Sequence, residues 1–385
     1  MPVGRTKNIL ASLVGFDTTS RNSNLALIAW VENYLDRFGI PYERVVDPTG
    51  TKANLWATVG PPDLPGYVLS GHTDVVPVDG QTWSSDPFRV AERDGRLFGR
   101  GTADMKGFLA CCLAIVPGLA EQRLAHPIHL AFSYDEEIGC VGVRGLIERL
   151  SGRALKPLMC IVGEPTEMQV VVGHKGKRSF QATVRGRTCH SSLAPHGVNA
   201  VEYAARLIVK IREMADRLAV RGARDSLYEI PYTTAHTGVA QGGTALNIVP
   251  DACAFEFEFR VIADDKVDAL EAEVKTYARD VLEPEMKAIA PEAGITFAVK
   301  SGFPGLNTAA DGEAAVLAKQ LAERNDHGKV AFGSEAGLFD AAGIPTVIIG
   351  PGSIKQAHTA DEFIAVAELE KCNRFLDRLI AHCRE

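Results

Sequence analysis

Residues 67–77 read Y-V-L-S-G-H-T-D-V-V-P, and this stretch restricts the chain's fold more than any other. A short apolar run stops at Ser70-Gly71, and His72 and Asp74 follow one residue apart. In an extended chain, residues i and i+2 project to the same side. His72 can then offer one ring nitrogen to a metal while Asp74 accepts a hydrogen bond from the other, fixing tautomer and ring direction. The alternative is a capped strand end with a surface His and a solvated Asp. The metal reading gains weight because further carboxylates follow at the ends of the next apolar runs.

Asp104 lies in G-R-G-T-A-D-M-K-G, before a helix expected from Met105 to Leu119. It either N-caps that helix or bridges two metals. Asp135, Glu136 and Glu137 follow the strand I-H-L-A-F-S and form either a solvated acidic face or a ligand set. Glu164 follows the strand C-I-V, and His358 comes after the strand V-I-I. Open α/β sheets place ligands at the carboxyl ends of their strands, where all these residues fall. Nitrogen and carboxylate donors without cysteine suit a catalytic zinc pair rather than a structural zinc.

Strands alternating with helices to about residue 175 indicate an α/β layer sandwich. The rhythm then changes to strand, helix, two strands, helix, strand, a one-sided α+β module. Its helices are expected over 199–218 and 264–286, with Pro284 ending the second early. After Gly302 the first rhythm returns. The expectation is a discontinuous α/β catalytic domain (1–175 and 303–385) with an inserted ferredoxin-like α+β domain over 176–302.

The 385 residues carry a net charge of −7, and no basic run marks a nucleic-acid surface. No apolar run approaches a membrane span, and the N-terminus lacks a signal peptide's apolar region. The eight cysteines, without a C-x-x-C pair, read as reduced, buried cytosolic thiols. A cytoplasmic protein that meets neither nucleic acid nor membrane is expected.

G-H-T-D-V-V-P, G-R-G-T-A-D-M-K-G, S-Y-D-E-E-I-G, V-G-E-P-T and the late A-H, in that order, resemble the dizinc aminoacylase and carboxypeptidase (M20-type) family. V-P-V-D-G-Q-T-W-S-S-D-P-F, G-H-K-G and S-E-A-G are most similar to its acetylornithine deacetylase branch. The resemblance implies one zinc on His72, Asp104 and Glu164, and another on Asp104, Glu137 and His358. Cobalt would be an acceptable substitute. It implies Glu136 as general base, Asp74 orienting His72, and an inserted domain acting as lid and dimerisation module. His190, in R-G-R-T-C-H-S-S, falls where the family keeps a lid His that reaches the partner's site in a homodimer. Cys189 stands where relatives more often carry Ala. Asn247 and Arg260 match positions that contact the N-acyl amino acid substrate. Glu335 opens a helix: it either meets the helix dipole or faces the pocket and favours a cationic side chain. Deacylation of another N-acyl amino acid, such as succinyl-diaminopimelate, and a non-catalytic binding paralogue are the rival readings.

Overall fold

The apolar runs become strands, and the carboxyl ends of the central ones come to lie along one edge. The computed structural model describes residues 2–152 and 155–384. These form two units, one of Met1–His174, Leu306–Val330 and Ser334–Glu385, the other of Lys175–Gly305 with Ala331–Gly333.

The larger unit holds a mixed sheet. Its strand order is Tyr42–Val46, Ala53–Val59, Ile128–Ser133, Tyr67–His72, Met159–Val162, Thr346–Ile348, Val171–His174, Leu306–Asn307, with Gly328–Val330 also pairing Val171–His174. The four strands from Ile128–Ser133 to Thr346–Ile348 are mutually parallel. They are buried along their whole length, as parallel strands covered on both faces must be. Helix Lys106–Ala120 is apolar nearly all round and buried accordingly. Its Phe108 ring lies so close to the backbone before Glu164 that a Cβ on Gly163 would meet it at 2.0 Å. Only glycine fits there. Strands Ala91–Arg93 and Arg96–Phe98 form a hairpin across Asp94-Gly95. Asp94 and Gly95 are both left-handed, with φ of 49° and 70°, the pairing a type I′ turn needs.

The smaller unit is a four-stranded antiparallel sheet ordered Thr234–Gly242, Ala252–Val261, Gly176–Arg185, Gly294–Phe303. Along F-E-F-E-F-R the three phenylalanines are buried, while Glu256, Glu258 and Arg260 lie half-exposed on the opposite face. Phe180 stacks on Phe257 with ring centroids 5.0 Å apart. Helix Ala200–Arg221 begins where the Asn199 side chain accepts the Val201 and Glu202 N–H groups. The second helical stretch differs from expectation. It runs Val267–Tyr277, widens into a π-type turn at Ala278–Leu282, and continues as Glu283–Ile289. Pro284 ends nothing. It sits in the first turn of the last segment, where its missing N–H is no loss.

Among the described residues no helix is long and apolar enough to cross a membrane. All eight cysteines are free, and Cys189 is the partly exposed one.

Candidate metal centre

All the candidate ligands but Asp104 sit at or beyond the end of a central strand of the larger unit. His72 ends its strand, Glu136 and Glu137 follow Ile128–Ser133, Glu164 follows Met159–Val162, and His358 lies in the loop after Thr346–Ile348. Asp104 comes from the loop before helix Lys106–Ala120. It does not cap that helix, whose N-cap residue is Met105.

Asp104 is the shared member. One of its oxygens lies 3.0 Å from His72 Nε2, and the other lies 3.2 Å from His358 Nε2. His358 Nε2 also lies 3.1 Å from Glu137, and Glu164 approaches His72 Nε2 at 4.0 Å. His72, Asp104 and Glu137 bring donor atoms within 4.8 Å of one another, and so do His72, Glu136 and Glu164.

The hydrogen bonds show what this cluster lacks. His72 Nδ1 is 2.9 Å from the backbone carbonyl oxygen of Asp74, which only accepts, so Nδ1 carries a proton and donates it. Nε2 of the neutral ring then presents a lone pair to carboxylate oxygens. A proton or a cation must stand between them. Glu137 Oε1 is buried with no hydrogen-bond partner among the described residues. An orphaned buried carboxylate oxygen beside two imidazoles and further acids fits a metal site.

Charge crowding shifts every member. Desolvation pushes Glu136 up to about 8, with Glu137, Asp74 and Asp104 adding to it against His72. Glu137 rises to about 7 through desolvation and the Asp104 charge, and Glu164 rises through desolvation and Asp104. Desolvation alone would raise Asp104, but the bonds to His358 and His72 hold it below the usual carboxylate range. His358 is raised to about 10 by its bonds to Asp104 and Glu137. Burial would lower His72, yet Asp104 and the neighbouring acids keep it well above its ordinary value. Metal ligands bind deprotonated, so a metal would displace these protons.

Two expectations need correction. The Asp74 carboxylate does not hold the His72 ring: its Oδ1 is 3.6 Å from Nδ1, and the backbone carbonyl makes the bond instead. The carboxylate accepts the Ser20 hydroxyl at 2.7 Å and the backbone N–H groups of Glu136 and Glu137 at 3.1 and 3.3 Å. Asp74 thus couples His72 to the Glu136–Glu137 loop. Glu335 is also corrected. It is fully buried, and its two oxygens accept the Ser70 and Ser133 hydroxyls at 2.6 and 2.7 Å, so it does not face a substrate.

The remaining candidates belong to the smaller unit. His190 pairs as a bridge with Ile248, and Ser191 N–H donates to the Asn247 carbonyl. Ser192 N–H donates to His190 Nδ1 at 3.2 Å, so the neutral ring carries its proton on Nε2. Arg260 pairs with Glu258 at 2.8 Å. Sequence reasoning passed over Ser20, Gln81 and Glu362. Ser and Gln carry no ligand signal by type, and Glu362 reads as a surface acid.

The sequence pattern of peptidase family M20/M25/M40 matches residues 68–382. An acetylornithine deacetylase of Myxococcus xanthus is 34% identical over 380 residues, covering 97% of this chain and 96% of that one. The crystal structure of a Staphylococcus aureus tripeptidase superposes with a TM-score of 0.76 at 23% identity, covering 100% of this chain and 99% of that one. A dinuclear-metal-binding M20 peptidase from Bacillus subtilis superposes with a TM-score of 0.66 at 15% identity, covering 99% and 98%.

Replacing Asp74 by Ala keeps the backbone carbonyl behind His72 but orphans the N–H groups of Glu136 and Glu137. The variant should retain its metal at His72 while turnover falls about 10–100-fold, the usual cost of losing an outer partner. Metal analysis and initial rates on one preparation decide it. Metal loss at the His72 site would return the orienting role to the carboxylate.

Proposed function

The chain belongs to peptidase family M20/M25/M40 and is a metallo-hydrolase, and from that premise we propose that it removes the acetyl group from N2-acetyl-L-ornithine. The products are L-ornithine and acetate, formed in the cytoplasm as part of arginine biosynthesis. The observation that carries the reading is the sharing of Asp104 between two imidazoles, with Glu137 and Glu164 beside them. The deacetylase relatives support the substrate.

His72, Asp104 and Glu164 would hold one zinc, and Asp104, Glu137 and His358 the other; cobalt takes the same donors. When bound, the pair supplies Lewis acidity toward the acyl carbonyl and acidifies water. Glu136 is the general base. Cys140 Sγ–H donates to its Oε1 at 3.2 Å, leaving the other oxygen to take a proton from the attacking water. A general base needs a free carboxylate oxygen within reach of the water, and Glu136 keeps one. The same carboxyl then protonates the departing amine. His190, with its proton on Nε2, is the donor proposed for the developing oxyanion. Asn247 and Arg260 are proposed to hold the substrate's carboxylate, within a smaller unit that acts as lid and dimerisation module.

Glu136→Gln should keep both zincs yet lose most turnover, because an amide accepts no proton. A panel of N-acyl amino acids on zinc-loaded protein should place acetylornithine first. Near wild-type activity in the variant would remove Glu136 from the mechanism, and preference for a succinylated substrate would move the protein to a sister activity.

A homodimer with His190 acting across the interface gives a separate test. His190→Ala and Glu136→Gln should each be nearly inactive as homodimers. After mixing and exchange, the heterodimer has one site with both groups intact, so activity should recover to about a quarter of wild type under random pairing. Demonstrated exchange without recovery would exclude action in trans.

A further inference from the structure

His358 differs from the other candidate ligands in how it is held. Its side chain is 52% exposed, against 7% for Asp104, so packing does not fix the ring. Its φ is 63°, in the left-handed region that a non-glycine residue occupies only when its surroundings enforce it. Its backbone has a side-chain partner: Gln81 Nε2 donates to the His358 carbonyl at 2.9 Å. The other end of that amide is also occupied. Gln81 Oε1 accepts from Arg100 at 2.7 Å and from Trp83 Nε1 at 3.1 Å. Arg100 and Glu362 are both 1% exposed, and they form an ion pair at 2.7 Å.

Glu362 then completes the circuit. One of its oxygens accepts the Ala103 and Asp104 N–H groups at 2.9 and 3.1 Å, and the other accepts Gly101 N–H at 2.9 Å. A single buried carboxylate therefore fixes the loop that carries Asp104. Through Arg100 and Gln81 it is also tied to the loop that carries His358. Asp104 and His358 lie far apart in sequence, and this chain of charged and amide groups links their main chains without passing through a metal.

We propose that Gln81, Arg100 and Glu362 are positioning residues for the metal held by Asp104, Glu137 and His358, an inference that rests on the dinuclear reading above. Gln81 sets the His358 backbone, and Glu362 sets the Asp104 backbone. Arg100 keeps the two in register. Outer partners of this kind are worth about 10–100-fold in metal affinity.

The test is a zinc titration of metal-free protein in competition with a chromophoric chelator, with far-UV circular dichroism to confirm folding. Wild type should take up two ions. Gln81→Ala removes only the half-buried amide and leaves the buried pair intact. It should bind the first ion as wild type does and the second about tenfold or more weakly. Glu362→Gln should weaken both ions, because one amide oxygen cannot accept from the Ala103 and Asp104 N–H groups and also from Gly101 and Arg100, so the loop carrying the shared Asp104 is only partly held. Gln81→Ala binding both ions as wild type does, or weakening both equally, overturns the proposal whether or not Glu362→Gln folds. Wild type taking up no zinc would instead overturn the dinuclear reading itself.

Discussion

The structure depends on a concentration of negative charge that protein groups alone do not balance. Asp104, Glu136, Glu137 and Glu164 crowd around two imidazoles, and desolvation drives three of the four carboxyls upward. Asp104 stays low because it touches both rings. Buried charges survive only when paired or when they coordinate metals. With its Nδ1 proton committed to a backbone carbonyl, His72 can meet its neighbours only through a second proton or a cation. Such a centre must either hold protons on its acids and imidazoles or give them up to a cation, and its donor set fits a metal.

The fold brings these groups together by topology before side chains matter. Parallel neighbours Ile128–Ser133, Tyr67–His72, Met159–Val162 and Thr346–Ile348 all end on one edge, so residues distant in sequence arrive as neighbours. Support behind the edge is polar and buried. Lys106 is fully buried, donates to the Phe16 carbonyl at 2.9 Å, and is lowered by desolvation to about 7. Ser20, four residues beyond Phe16, holds the Asp74 carboxylate. The segment before the first parallel strand thus braces the loop after it. Glu335 fills a similar internal place between Ser70 and Ser133, which is why it is not available to a substrate.

The ligand-bearing strand ends were legible because apolar runs, stop signals and acids repeat in a fixed relation. The alternation of F-E-F-E-F-R likewise matches a strand with one buried face. What stayed hidden has physical causes. Strand Tyr42–Val46 is an edge strand with mostly exposed residues, so it shows no apolar pattern. Pro284 looks like a helix stop because sequence does not reveal the π-type turn that lets the chain continue. The i, i+2 rule put Asp74 on the correct side of His72 but could not tell a carboxylate from a carbonyl as the ring's partner. Gln81 and Glu362 matter through bonds to distant backbone, and spacing along the chain carries no trace of such bonds.

The central claim is that Asp104 lies between two metal ions. Anomalous diffraction at the zinc edge from crystals grown with zinc tests it without relying on activity. The account predicts two peaks flanking the Asp104 carboxylate, one beside His72 and Glu164 and the other beside Glu137 and His358. No peak at this edge of the sheet, or a single ion that leaves His358 unengaged, would contradict it.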